Sequence, residues 1–291
     1  MNAPQMPPLV STDWLAAQND APDFVVVDAS VEKIPGVDGG FVWRAARSAF
    51  ERDGHVAGAR FADMVHEFSE REARFPFTRP QSDRMESAVG ALGISNRNRI
   101  VVYDRANGIW AARLWWLLKA YGHDDAAVLD GGLKKWIAEG RSLSFGAVDA
   151  PVASFRADPR DGFFVNKAEV VAVMEGRAPG RLVCVLRPSV FSGHEKVYAR
   201  AGRIPGSLNV PYANLIDDSA NVFRPGSRLR ASFSAALSGQ ERLILYCGGG
   251  VTAAGSALAL TMLGVSNIAV YDGSLNEWSA DAELPLFVEP A

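Results

Sequence analysis

The hydrophobic positions of this chain fall into short unbroken runs, and the runs come in two matching sets. The first set is VVV at 25–27, RIVVY at 99–103 and AAVL at 126–129; the second is LVCVL at 182–186, RLILY at 242–246 and IAVY at 268–271. Aliphatic and β-branched runs without alternation predict strands covered on both faces, hence parallel sheets with helices on either side. Helical pattern fills the spaces between them. Ser11 and Asn166 read as N-caps ahead of Trp14/Leu15 and Val170/Val171, and Asn166 with Glu169 three residues on reads as a capping box. The stretches 110–121 and 252–263 follow strands directly, as crossover helices do.

The two sets share one order. VSTDWL, a strand, GHVAGARF, RIVVYD, a helix and AAVLDGGLKKW are answered by VNKAEV, a strand, GRIPGSLN, RLILYC, a helix and IAVYDGSLNEW, with matching elements 142 to 158 positions apart. A long-period match in constant order predicts a duplicated domain. The expected fold class is α/β, as two tandem domains, each a parallel sheet flanked by helices. Between Arg141 and Arg160 the periodicity lapses and Pro151 and Pro159 appear, so the expected division is a domain over 1–145, a linker over 146–160 and a domain over 161–291.

Composition agrees and narrows the function. A length of 291 residues fits two domains. Thirty Lys+Arg against 33 Asp+Glu, with no basic stripe, argue against a nucleic-acid partner. Two cysteines, Cys184 and Cys247, cannot make a disulfide framework, and without a CxxC or Cys/His cluster they predict no metal site. The opening MNAPQMPPLVSTDW lacks a basic segment followed by an apolar one, and no apolar run is long enough to span a bilayer. The expectation is a cytoplasmic chain with no membrane partner.

The chemistry concentrates in LILYCGGGVTAAG. A buried strand ends at Tyr246, Cys247 follows, then Gly248, Gly249 and Gly250, and a helix of small residues opens around Thr252. Glycines let the backbone curl so that successive N–H groups converge, and the helix adds its positive end. The point of convergence is the sulfur, so the loop can stabilise a thiolate, a persulfide or an oxyanion. Cys184, inside LVCVL, reads as a core residue. Phosphate binding is disfavoured because the loop has no GxxxxGK[ST], and a cysteine phosphatase because it has no closing arginine.

With CGGGVTA at 247–253, GRIPGSLNVP at 202–211, VVYDRANGIWAARLWW at 101–116 and the closing phrases LDGGLKKW and YDGSLNEW, the chain resembles the tandem-domain rhodaneses, thiosulfate and 3-mercaptopyruvate sulfurtransferases. The resemblance implies that only the second domain is catalytic. Asp104 stands at the cysteine position of the first, 143 residues before Cys247, which marks that domain as inactive. It implies that the Cys247 thiolate takes the outer sulfur of a small donor, releasing pyruvate or sulfite, and hands it to a thiol, cyanide or a thioredoxin-like reductant. The amides of Gly248, Gly249, Gly250, Val251 and Thr252 would hold that sulfur, with no metal or organic cofactor.

Donor choice follows the same comparison. CGGGVT is nearer the mercaptopyruvate-type CG[ST]GVT than the thiosulfate-type CRKGVT, yet Gly249 replaces the serine, while Asp63 matches the first-domain aspartate that supports it. Of the two arginines expected between the strand and the GHIPG turn, Phe191 falls near one position and Lys196 near the other, so Arg187, Lys196 and Arg200 are the candidate substrate cations. Asp130 and Asp272 read as turn formers, Trp110, Trp115 and Trp116 as residues that fill the first core or face the other domain, and His55, His66, His123 and His194 show no metal-like spacing. Three readings stand: a mercaptopyruvate enzyme, a thiosulfate enzyme, and a persulfide carrier or regulatory module with little turnover of small donors.

Overall fold

The apolar runs become the strands they predict. In the first half β1 (Leu9–Val10), β2 (Phe24–Asp28), β3 (Arg60–Phe61), β4 (Arg99–Tyr103) and β5 (Ala126–Leu129) form one sheet in the order β1-β5-β4-β2-β3. In the second half β6 (Phe164–Val165), β7 (Arg181–Cys184), β8 (Leu208–Asn209), β9 (Leu243–Tyr246) and β10 (Ile268–Tyr271) repeat it as β6-β10-β9-β7-β8. Every neighbouring pair in both sheets is parallel. The computed structural model describes residues 6–18, 21, 23–36 and 40–290; the first five residues of the stretch read for a leader lie outside them. Among the described residues no helix is long and apolar enough to cross a membrane.

The helices follow from their caps and from what covers them. The Trp14 N–H donates to Ser11 Oγ at 3.1 Å as α1 (Thr12–Gln18) begins. Both arms of the Asn166–Glu169 capping box are present, at 3.0 and 2.8 Å, ahead of α3 (Lys167–Met174). Ten of the twelve residues of α2 (Ile109–Ala120), Trp110, Trp115 and Trp116 among them, are buried, as an all-round apolar helix must be. Small residues let α4 (Val251–Met262) pack closely: a β-carbon on Gly255 would meet the Tyr212 ring within 3.0 Å at Cζ.

The repeat reaches individual hydrogen bonds. The Tyr103 hydroxyl accepts from Val56 N at 3.2 Å and the Tyr246 hydroxyl from Ile204 N at 3.3 Å. Trp136 and Trp278 each donate from Nε1 at 2.9 Å to a carbonyl just beyond the helix that carries them, Ser142 and Pro285. Trp278 is fully buried in the second core, a burial worth about 3 kcal/mol.

The chain divides into two compact units whose bounds are not a single cut. One holds the residues up to Glu72, Arg79–Arg160 and Ala220–Val222; the other holds Ala73–Thr78, Asp161–Ser219 and the residues from Phe223 onward. The stretch 146–160, expected as a linker, lies along the first unit. Gly146, Ala153, Asp158 and Arg160 donate their N–H groups to the carbonyls of Glu51, Gly90, Tyr121 and Ala120, and Phe155 is buried. The latter two carbonyls sit at the C-terminal end of α2, where acceptors lack intrahelical partners. Lost periodicity marks irregular backbone, and here that backbone is a bound strap. The two exchanged segments carry Phe77 at φ 62° and Asn221 at φ 58°, equivalent non-glycine positions in the left-handed region.

Candidate active site

Cys247 follows β9, the central strand of its sheet, at the carboxyl edge where ligands bind in parallel α/β folds. It is 2% exposed. The three glycines after it do different work, which corrects the expectation that all three supply φ freedom. Only Gly250 is left-handed, at φ 73°, where it is the N-cap residue of α4. Gly248 leaves room: a β-carbon there would strike the Tyr198 hydroxyl and lie 3.0 Å from ring carbons Cε1 and Cζ. At Gly249 it would lie 3.0 Å from Asn276 Nδ2 and 3.3 Å from Pro76 O. Pro76 and Phe77 come from the first half of the sequence but belong to this unit.

A second element pins the loop from behind. Ser274, fully buried and at φ 47°, opens α5 (Ser274–Trp278). Its Oγ accepts from Cys247 N at 3.1 Å and Gly250 N at 3.2 Å and donates to Tyr271 O at 2.7 Å. Leu275 N and Asn276 N donate to the carbonyls of Cys247 and Gly248 at 3.0 and 2.8 Å. The Gly250 amide is therefore already bonded and is not one of the open donors. A non-glycine residue held left-handed stores backbone strain, and here its hydroxyl is what fixes the loop. Its trace in the sequence is the single Gly-to-Ser change between LDGG and YDGS, since Gly132 stands at the same place at φ 54°.

Removing that hydroxyl leaves two buried N–H groups without an acceptor, which costs roughly 1–3 kcal/mol. Ser274→Ala is expected to lower the thermal midpoint and to slow single-turnover sulfur transfer by about tenfold. Ser274→Gly, which relieves the φ strain, should melt later than the alanine variant. Both variants transferring at the wild-type rate would mean that the hydroxyl does not hold the loop.

The first unit shows what such a loop prefers to hold. Asp104, buried at the end of β4, accepts four backbone N–H groups: Ala106 and Gly108 on Oδ1 at 2.9 and 3.0 Å, Trp110 and Ala111 on Oδ2 at 2.9 and 3.0 Å. Burial pushes this carboxyl up and the four amides oppose it. Trp110 and Ala111 are the second and third residues past left-handed Gly108; past Gly250 the same places are Thr252 and Ala253. The fold thus collects loop and helix N-terminal amides around the carboxyl that follows the central strand, and in the second unit the residue presented there is a cysteine.

The Rhodanese-like domain family matches residues 11–139 and 187–281, more than half of the chain. The chain belongs to the rhodanese family. Over 97% of its length, and 97% of the relative's, it is 31% identical to the 3-mercaptopyruvate sulfurtransferase of Escherichia coli (strain K12). It is 32% identical to the thiosulfate sulfurtransferase of Bos taurus, over 93% of this chain and 91% of that one. The crystal structure of SseA from Escherichia coli superposes with a TM-score of 0.81 at 29% identity, covering 92% of this chain and 99% of that one. Sulfur transfer is the activity that this membership carries.

Against that family background the expected cations are differently employed. Arg187 is ion-paired with Glu195, Nε to Oε2 at 2.7 Å, and with the Ser189 hydroxyl it holds the Glu195 carboxyl down at about 2. Arg200 spends its guanidinium on carbonyls, those of Ser279 at 2.9 Å, Trp278 at 3.3 Å, Leu284 at 2.9 Å and Asp281. That makes it a tie for the chain end. Lys196 is exposed. Asp63, in the first unit, uses its carboxylate in its own turn, accepting from Val65 N at 2.9 Å, His66 N at 2.8 Å and His66 Nδ1 at 3.0 Å. Cys184 is fully buried, its thiol pushed up to about 12 by that burial. Tyr198, Ser274, Asn276 and the segment Ala73–Thr78 are what the sequence reading missed.

Proposed function

We propose that this rhodanese-family chain moves the sulfur of 3-mercaptopyruvate through a persulfide on Cys247 to a thiol or to cyanide. The observation that carries it is the pair of equivalent loops, one holding the Asp104 carboxylate on four amides, the other presenting Cys247. In the first half-reaction the Cys247 thiolate attacks the donor sulfur and an S–S bond forms. The C–S bond breaks with its electron pair left on the pyruvate fragment, whose enolate takes a proton from solvent. The acceptor thiolate then attacks the outer sulfur and Cys247 leaves as thiolate, a double displacement.

Two features favour mercaptopyruvate over thiosulfate. The loop lacks the cations that suit a dianion, and Gly248 cannot carry one while the Tyr198 ring lies against it. The first unit, with a carboxylate in place of the thiol, is a non-catalytic copy in this reading. A cytoplasmic setting and a thioredoxin-like reductant as acceptor belong to the same proposal; both cysteines are free thiols, which suits a reducing compartment.

The test is the intact mass of the protein after separate exposure to 3-mercaptopyruvate and to thiosulfate. The expected result is a gain of one sulfur atom with mercaptopyruvate and little with thiosulfate. Loading from thiosulfate alone would make this a thiosulfate enzyme, and loading from neither, but from a persulfidated protein, a carrier.

A further inference from the structure

The donor's other end needs a partner, and the groups nearest Gly248 and Gly249 are neutral: Tyr198, Asn276, Pro76 and Phe77. Tyr198 stands beside it: its ring packs on the second core, and its hydroxyl and Cε1–Cζ edge fill the place where a Gly248 side chain would be. Among the described residues that hydroxyl has no hydrogen-bond partner, and the residue is half-buried. The oxygen is not shut off from solvent, so it is open to a bound molecule. Burial, together with the nearby Cys247 and Cys184, pushes the Tyr198 phenol well up, so it remains a proton-bearing donor across the working pH range. Next to it the Asn276 backbone is tied to Gly248 O at 2.8 Å while its side-chain amide lies against Gly249, also without a hydrogen-bond partner among the described residues.

From this arrangement we infer that Tyr198 is a substrate-contacting residue, its hydroxyl donating a hydrogen bond to an oxygen of the α-keto acid end of the sulfur donor, with the Asn276 amide as the second donor. The inference rests on the mercaptopyruvate reading above and deepens it. The bonds broken and formed are those already described; the Tyr198 proton stays on its oxygen, and the hydrogen bond shortens as the keto oxygen gains enolate charge. Such a contact acts in the loading half-reaction only, because the acceptor half-reaction has no α-keto acid in the site. It also gives CGGG a reason: glycine at 248 admits the phenol, and glycine at 249 leaves the asparagine amide uncovered.

The experiment compares wild type with Tyr198→Phe, which keeps the ring and removes the hydroxyl. Loading of Cys247 by 3-mercaptopyruvate is followed in single turnovers by intact mass, and discharge to cyanide is followed on protein preloaded with inorganic polysulfide. Loading is expected to slow by about 10- to 100-fold, with discharge and thermal midpoint close to wild type. Asn276→Ala should slow loading by a smaller factor in the same half-reaction. Equal loading rates in wild type and Tyr198→Phe would overturn the inference while leaving the mercaptopyruvate reading intact. Loading and discharge slowed together, with a lowered midpoint, would overturn it in favour of a packing role. A wild type that takes no sulfur from mercaptopyruvate would remove both.

Discussion

Cys247→Ser should abolish sulfur transfer, by at least about a thousandfold, while leaving the protein as stable as the wild type. A serine oxygen at that place does not form a stable counterpart of the persulfide, so the double displacement has no first product. The loop should nevertheless keep its shape, because Ser274, Leu275 and Asn276 grip the backbone of Cys247, Gly248 and Gly250 and not the cysteine side chain. Cys184 cannot take over. It is fully buried in the core beside Tyr246, its partner on the adjacent strand, and burial pushes its thiol up to about 12. The measurement is transfer rate and intact mass of the variant after exposure to donor, with thermal unfolding alongside. Sulfur retained by the variant, on Cys184 or elsewhere, would remove Cys247 from the centre of the mechanism.

The fold was legible because the chain states it twice. Strands 99–103, 126–129 and 268–271 needed no adjustment, since unbroken apolar runs bounded by Asp or Asn have one outcome in a parallel sheet. The Asn166–Glu169 cap was equally legible, being a local bond between residues three apart. Cys247 and its glycines could be found for the same reason. What the sequence hides is every contact made at long range. Arg200 reads as an open cation until its four carbonyls are seen, and Tyr198 sits in an irregular segment whose only clue is the absence of a side chain at 248. The segments Ala73–Thr78 and Ala220–Val222, each counted with the unit of the other half, leave no periodic trace at all. Ser274 was concealed by its setting, because YDGS reads as a turn and nothing local says that its hydroxyl faces Cys247 N.

Asp104→Ala is expected to be the most damaging substitution in the first unit. The carboxylate is the common acceptor for Ala106, Gly108, Trp110 and Ala111, and it is fully buried, so its removal strands four N–H groups around an empty volume. The Asp104 backbone would remain tied through Leu133 N at 3.0 Å, which holds the strand end but not the loop. With hydrogen bonds to a charged acceptor worth more than neutral ones, the loss should be roughly 4 kcal/mol, or about a 10 °C fall in the unit's midpoint. Asp104→Asn keeps one oxygen but turns an NH2 group toward two of the donors, so it should fall between alanine and the native residue. Intrinsic fluorescence reads this unit selectively: Trp14, Trp43, Trp110, Trp115, Trp116 and Trp136 lie within it, and only Trp278 of the seven does not. Sulfur loading of Cys247, measured well below the new midpoint, reads the other. A lowered fluorescence midpoint with loading retained is the expected pair of results, and it would assign the Asp104 cradle to structure. An unchanged midpoint would mean that the four amides find water as readily as carboxylate, and the first-unit loop could then no longer serve as a template for the second.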